Sequence, residues 1–384
     1  MTSPEKRYPS LYIHIPFCRS KCGYCDFYSE TTKNDYIDDY IDALDKESRY
    51  YTIPEKLSSV FIGGGNPAIL TTQQLKRLFS IINRYSFEKA EYTIEANPES
   101  IHRQFIETIL EAGVNRISLG VQSFQEDILK TLERNCTRDY VYRSIELIRE
   151  NFVLKLNLDI IWAIPGQKLS HLKADINELI KIAPEHISAY SLMLSPGTKL
   201  SKMIKMEIMK PVSDGMFRKM YFLLRNKLEE AGYHFYEVSN YALPGNECKH
   251  NAHYWEGNEY IGLGAGASGY LNDERYSNSA HIMQYIQSIQ KNGRPEKTVD
   301  TMTPYKKWLE YVMLSLRTAK GLDTEILIAL YQEKGWEKKH SEILARLEHF
   351  RKTGYLLKQG TVYSCTRSGF LLLDSLIRDL ILED

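Results

Sequence analysis

The sequence predicts an α/β fold: a partial (β/α)6 TIM-like barrel with a C-terminal α+β, winged-helix-like domain. Three observations lead to it. Six short β-rich runs alternate with helically spaced apolar segments over roughly the first half of the chain, and parallel strands need helical crossovers of that kind. Polar residues and glycines recur at the C-terminal ends of successive runs, where a barrel gathers its chemistry. Beyond about residue 200 the alternation stops, and from Pro304 a helical region with a hairpin takes over.

The first run, "LYIHIPF" (11–17), leads into a cysteine-rich segment. In the following "NDYIDDYIDALDKESRY", Tyr36, Ile37, Tyr40, Ile41 and Leu44 recur at helical spacing and form one apolar stripe. "SSVFIGGG" (58–65) is the second run. After it, Thr71 or Thr72 caps a helix over "TTQQLKRLFSII", with Gln74 placed to complete a capping box with Thr71. "EYTIEANP" (91–98), "NRISLGVQ" (115–122), "LKLNLDIIW" (154–162) and "EHISAYSLM" (185–193) supply the remaining strands, with helical patterns near 102–112, 138–151 and 170–182. These runs define a barrel over residues 1–235. Residues 236–300, dense in aromatics and glycine, are expected as a loop-rich segment packing on it. Residues 301–384 hold three helical patterns, the hairpin "YLLKQGTVYSCT" and a last helix, an order compatible with a winged-helix unit.

Over 384 residues, 49 Lys plus Arg balance 49 Asp plus Glu, so no global field draws the chain to nucleic acid or an anionic membrane. Residues 306–384 carry 13 basic and 11 acidic side chains, no strong phosphate-binding footprint, so a packing or docking role is expected there. With no charged-then-apolar leader, and no apolar run near the roughly 18 residues of a membrane span, a soluble cytoplasmic protein is expected. Peripheral membrane contact stays open. Six cysteines in so long a chain make no disulfide framework, and clustered thiols in a reducing compartment serve metals or redox chemistry. Cys136, Cys248 and Cys365 are scattered and read as buried structural thiols.

Cys18, Cys22 and Cys25 fall within eight positions of "YIHIPFCRSKCGYCDFY", and no fourth cysteine follows. Structural zinc closes with four ligands, so one reading is a zinc knuckle that borrows His14. The other is a complete protein set for a [4Fe-4S] cluster, with one iron left to a small molecule bearing amino and carboxylate groups. "IGGGNP" (62–67) is either a turn that brings bare backbone close to a ligand or a plain strand-to-helix turn. Glu95 and Gln122 have the chemistry to hydrogen-bond ribose hydroxyls, and Arg134 to pair with a carboxylate through its planar fork. Asp159 belongs to the same set of strand-end groups.

The cysteine spacing, the preceding "YIHIPF" and Tyr24 resemble the radical S-adenosylmethionine superfamily, whose cluster reductively cleaves the sulfonium to a 5′-deoxyadenosyl radical. "LYIHIPFC", "GGG.P", "EANP", "RISLGVQSF", "NLDII…IPGQ" and "Y.L…PGT" occur in order, and over essentially the entire chain they resemble the oxygen-independent coproporphyrinogen III oxidase family. That resemblance implies a [4Fe-4S] cluster on Cys18, Cys22 and Cys25. It also implies S-adenosylmethionine at Tyr12, Gly64, Gly65, Asn66, Glu95, Gln122, Arg134, Asp159 and Met193. The oxidases typically carry a fourth cysteine two residues after the third, where this chain has Phe27. Relatives without it are the HemW-type heme chaperones, thought to bind heme and deliver it to hemoproteins. "HNAHYW" (250–255) matches their His-Asn-x-x-Tyr-Trp signature, and "LGAGASGY" is typical of the group. The resemblance thus implies a heme chaperone with a recipient hemoprotein as partner, and it is compatible with a homodimer. Oxidative decarboxylation of coproporphyrinogen III, or a related tetrapyrrole reaction, is the alternative.

Within that segment His250 is the first candidate for an axial heme ligand, because a neutral imidazole nitrogen suits heme iron and Tyr254 and Trp255 offer flat apolar surface. His253 would share its face if the segment were helical, and Cys248 is a thiolate option. The competing reading is a loop in which His250 and Asn251 satisfy buried backbone groups. Three departures from the family pattern stand out. Asn66 replaces a usual threonine, Lys249 a frequent arginine, and Trp162–Ala163 a smaller or glycine-containing turn, which is expected to narrow the barrel mouth.

Overall fold

The computed structural model describes residues 8–31, 36–51, 56–85, 90–332 and 336–381. It opens on β1 (Ser10–Ile15), and a two-residue parallel ladder, β2 (Phe17–Cys18) against β3 (Glu30–Thr31), closes the cysteine loop. The β/α series follows as α1 (Ile37–Ser48), β4 (Ser59–Gly64), α2 (Thr72–Ile82), β5 (Glu91–Ala96) and α3 (Arg103–Glu111). It continues through β6 (Arg116–Gln122), α4 (Glu126–Thr131), α5 (Arg138–Arg149), β7 (Lys155–Trp162), α6 (Leu169–Ile182) and β8 (His186–Ser191). Local chemistry places the helix starts. Thr71 accepts from the Gln74 backbone N–H while Gln74 accepts from that of Thr71, the expected capping box, and Thr137 caps α5. The short α4 was not legible as a separate helix, because six residues are too few to show a period.

Strands β1, β4, β5, β6, β7 and β8 lie side by side in parallel, in chain order. The chain then passes through α7 (Lys199–Lys205) and α8 (Asp214–Glu230) to the hairpin β9 (His234–Glu237) and β10 (Asn240–Ala242), whose second strand pairs antiparallel with β8. After α9 (Lys249–Trp255), β11 (Tyr260–Leu263) returns parallel to β1, and β12 (Ser268–Leu271), β13 (Glu274–Asn278), α10 (Ile282–Asn292) and β14 (Lys297–Thr301) complete an antiparallel extension. The result is one twelve-stranded mixed sheet with β14 and β9 at its edges. Residues 236–300 are therefore not loop-rich: they contribute strands to the same sheet. Their strands are three to five residues long and interrupted by left-handed glycines, so they show no alternation to read.

The C-terminal unit runs α11 (Pro304–Ser315), β15 (Leu322–Asp323), α12 (Thr324–Leu330), α13 (Glu337–Lys352), β16 (Leu356–Gln359), β17 (Val362–Cys365), α14 (Arg367–Leu371) and α15 (Leu373–Ile381). Its small antiparallel sheet, ordered β15-β17-β16, has the winged-helix arrangement that the hairpin suggested. It meets the large sheet across Arg225, whose guanidinium lies 4.0 Å from the Phe235 ring centroid and 5.3 Å from that of Phe370. Among the described residues, no helix is long and apolar enough to cross a membrane.

One buried carboxylate ties the two ends of the sheet's first half together. Glu47, at the end of α1, accepts from the Gly264 backbone N–H (2.8 Å), Asn278 Nδ2 (2.7 Å) and the Tyr285 hydroxyl (2.6 Å). Gly264 has φ 106, and a Cβ there would press on the Tyr40 hydroxyl and, at 2.7 Å, on the His14 carbonyl oxygen. This accounts for Gly264 of "LGAGASGY" without any ligand. Glu47→Ala strands three buried donors and is expected to destabilise the protein by about 3 kcal/mol. Equilibrium denaturation measures it, and an unchanged midpoint would show that the clamp is dispensable.

Candidate functional site

Side chains alternate across a strand, so every second residue of the parallel strands faces the same way. On β1 these are Tyr12 and His14, on β5 Thr93 and Glu95, on β6 Arg116 and Ser118. On β7 they are Asn157 and Asp159, and on β8 His186, Ser188 and Tyr190. All of them, with Phe61 from β4 and Tyr260 from β11, line one cavity of about 540 Å³, so the sheet wraps around it. A filled barrel carries branched aliphatic side chains at such positions. Here the apolar residues occupy the other face, under the helices: Leu11, Ile13, Val60, Ile62, Ile94, Ile117, Leu156 and Leu158 are all essentially inaccessible.

At the mouth, the three cysteines sit half-buried on one loop. Gly23 anchors it, its N–H donating to Leu132 O (3.1 Å) and its carbonyl accepting from Leu200 N–H (2.9 Å). Burial pushes the Cys18 thiol up to about 11 and raises Cys25 as well, and each also feels the neighbouring thiols. Among the described residues, no group of three His, Cys, Asp or Glu side chains stands in metal-chelating geometry, the three thiols included. The donor set is nonetheless three soft sulfurs on a single loop, with no fourth cysteine on it. That fits an iron–sulfur cluster with one iron left to another ligand. Phe27, in the fourth-cysteine position, is 66% exposed and forms part of the cavity rim.

His14 is not available to zinc. Its Nε2–H donates to Tyr28 O (2.8 Å), its Nδ1 accepts from the Tyr12 hydroxyl (2.9 Å), and burial lowers its pKa. The ring fills the space that a side chain at Gly64 would take: a Cβ there, at φ 112, would sit 2.5 Å from the imidazole. Gly63 likewise lies under the Glu95 carboxylate, at 2.7 Å from a hypothetical Cβ, and Gly65 under Phe17 O at 2.6 Å. The glycine turn thus permits close packing of the cysteine loop against the strand ends.

The structure brings Tyr12, Glu95, Asp159 and His250, with Cys248 and Tyr254, together in the cavity wall, while Gly64, Gly65, Asn66, Gln122, Arg134 and Met193 are not part of its lining. Asn66 is buried and turned inward: Oδ1 accepts from Ala68 and Asn97 N–H, and Nδ2 donates to Ser100 Oγ (2.8 Å). Gln122 occupies a β-bulge in the left-handed region (φ 67). Arg134 Nη2 donates to Asn97 Oδ1 (2.7 Å) and Gly120 O (2.6 Å), Nη1 faces Cys22 Sγ at 3.6 Å, and Nε has no partner among the described residues. One arm of its fork thus meets the cysteine loop and the other the ends of β5 and β6. Met193 is 75% exposed beyond the end of β8. Trp162 does not narrow the mouth. It is buried, donating from its indole N–H to Ala189 O (3.2 Å) and packing on Phe217, while Ala163 adopts φ 60, a left-handed conformation that explains why glycine is common at this turn.

Asp159 accepts from Ser118 Oγ (3.0 Å) and Asn157 Nδ2 (2.7 Å), and burial raises its pKa despite these bonds. Glu95 is pushed up to about 7, by burial first and then by the Asp159 charge, against the pull of the Gly64 N–H (3.0 Å). Both carboxylates line the cavity as acceptors, Glu95 against the glycine turn.

The floor is α9. The "HNAHYW" segment is helical, capped by the Glu91 carboxylate, which accepts from His250 N–H (3.0 Å), Lys249 N–H (3.1 Å) and the Cys248 thiol (3.2 Å). Helical geometry does not bring His253 to the cavity; its Nε2 donates to Glu259 O (2.8 Å). Cys248 lines the cavity as a thiol, since burial and Glu91 hold it protonated, and it offers no thiolate. His250 is buried, stacked on Phe61, with Nδ1 2.8 Å from Ser59 Oγ and Nε2 2.6 Å from the Tyr254 hydroxyl. Burial lowers it to about 3, so the imidazole is neutral.

Residues 12–179 match the Radical SAM superfamily. The chain is 36% identical to a heme chaperone HemW from Bacillus subtilis over 82% of its own length and 84% of that protein. It is 34% identical to one from Lactococcus lactis over 98% of each. The chain belongs to the radical SAM superfamily, in its HemW-type branch. The coproporphyrinogen III oxidase HemN from Escherichia coli has the same fold, with a TM-score of 0.84 at 22% identity over 97% of this chain and 90% of that one. Membership of the superfamily implies a [4Fe-4S] cluster and S-adenosylmethionine.

Sequence reasoning about strand ends missed the polar lining deeper in this radical SAM chain: Arg116, Ser118, Asn157 and His186. Strict alternation in "RISLG", "KLNLD" and "HISAYS" was the available signal. The raised carboxyl of Glu95 yields a signed prediction. Its native pKa near 7 exceeds the ordinary value of 4.5, so the native state holds an extra proton between them, and its contribution to stability falls as pH rises through that window. Glu95→Gln is therefore expected to raise the thermal midpoint at pH 8, by roughly 2 °C or more, and to change it little at pH 5. Equal shifts at the two pH values would contradict the raised carboxyl.

Proposed function

We propose that this chain is a heme chaperone of the radical SAM type, which binds heme in its cavity and delivers it to a recipient hemoprotein. The observation that carries the reading is a three-thiol loop at the rim of a cavity whose floor is the His250–Tyr254 helix, with apolar Phe27 where a fourth sulfur would stand. The 36% identity to a heme chaperone HemW supports it. In this reading Cys18, Cys22 and Cys25 hold the cluster and Tyr12, Gly64, Gly65, Glu95 and Asp159 receive S-adenosylmethionine. Asn66, Gln122, Arg134 and Met193 act around that shell, Asn66 by fixing the glycine turn and Arg134 by balancing the charge at Cys22. When bound, the reduced cluster supplies an electron to the sulfonium cofactor. The chain's own part is to exclude water, with Tyr12 and His14 fixing the wall and the 236–270 region closing the base.

His250 meets two requirements of an axial ligand. It is neutral, and one ring nitrogen is oriented by a second partner, as metal-bound histidines usually are. With Nδ1–H donating to Ser59, Nε2 is the ligand atom, and it becomes free when the Tyr254 hydroxyl moves away. Anaerobic heme titration tests this. His250→Ala should lose the low-spin absorption and weaken binding about tenfold, near 1.4 kcal/mol, whereas Tyr254→Phe should retain or tighten it. Unchanged spectra in His250→Ala would refute the axial role. The same preparation, given coproporphyrinogen III, S-adenosylmethionine and a reductant, should make no protoporphyrinogen; robust conversion would establish the oxidase reading instead.

A further inference from the structure

We propose that the floor of the cavity is a carboxylate-binding subsite, built from Arg116 and Thr93, that takes one carboxylate arm of a molecule held above it. Arg116 is 2% exposed at the start of β6. Its Nη1 donates to Asn246 O (3.2 Å), while Nη2 has no partner among the described residues. Thr93, its register neighbour on β5, is 1% exposed, and its Oγ1 also has none. Both side chains line the cavity. Two adjacent buried groups, one a cation, thus face the same interior space with unmet hydrogen-bonding capacity.

The surroundings do not supply the missing acceptor. Glu91 makes a buried ion pair with Arg116 Nη1 at 3.7 Å, longer than a hydrogen bond, and its oxygens are committed to the start of α9. Asp159 lies further along the strands, in register with Gly120, and is held by Ser118 and Asn157. His186 is neutral, with Nδ1 on Asn157 Oδ1 and Nε2 on the Tyr236 hydroxyl, so it adds no positive charge. A guanidinium presents its donors in a planar fork that matches a carboxylate, and the Thr93 hydroxyl adds a further donor. Asp26, Glu95 and Asp159 higher in the wall disfavour a free anion entering alone. The carboxylate therefore arrives on a larger body that fills the upper cavity. A porphyrin with its propionates is such a body, and this rests on the chaperone reading; the amino and carboxylate groups of the sulfonium cofactor belong with the open iron at the cysteine loop.

Cluster-reconstituted full-length protein is titrated anaerobically with heme and with heme dimethyl ester. The wild type should prefer the free carboxylates by tenfold or more. Arg116→Gln should abolish that preference and Arg116→Lys should restore part of it. Thr93→Val, which keeps the shape of the wall, should reduce it a few-fold with an unchanged melting curve. If the wild type binds neither heme nor its ester, the chaperone reading fails and the subsite with it. Equal affinities for the two, or a preference that survives in Arg116→Gln, would overturn the subsite alone.

Discussion

Everything in this molecule is arranged around the polar inward face of its parallel strands. A barrel interior normally closes on itself through layers of branched aliphatic residues. Replacing them with Glu95, Arg116, Asn157, Asp159 and His186 prevents that closure, because each group needs hydrogen-bond partners and none packs densely. Along the parallel strands the apolar core then lies between the sheet and the outer helices, where Ile13, Ile62, Ile94 and Leu158 are buried. The cavity is thus a direct consequence of the strand period and not of loop conformation.

The mouth depends on small residues. His14 orients the wall through Tyr12 and holds the cysteine loop through Tyr28, and it has room to do so only because Gly64 lacks a side chain. Glu95 then reaches over Gly63 to the Gly64 amide. Close backbone contact thus packs the glycine turn and the acceptor carboxylate against the loop that carries the thiols.

Ionisable groups are also buried where charge is unfavourable. Glu47, Glu95 and Glu237 are each pushed up to about 7 by burial, and buried Arg116 pairs with Glu91 through Nη1 while Nη2 has no partner among the described residues. Glu47 meets three donors and serves the fold. Glu95 meets one and faces the cavity, so its destabilisation is uncompensated until something binds. That contrast separates a structural acid from a site acid by the number of donors around it, where burial alone does not.

The sequence by itself determined the strand series, the capping box at Thr71, the thiol trio and the family, because each is a local period or a short contiguous motif. It also contained the inward lining, written as alternation in "RISLG" and "HISAYS", although strand ends drew attention first. Only the tertiary structure decided that Asn66 turns into the fold, that residues 236–300 extend the sheet, and that the His250 helix closes the floor, its ring held between Ser59 and Tyr254. Those outcomes rest on contacts between residues far apart in the chain, such as Ser59 with His250 or Glu91 with the start of α9. No local pattern encodes which distant partner a polar side chain will meet.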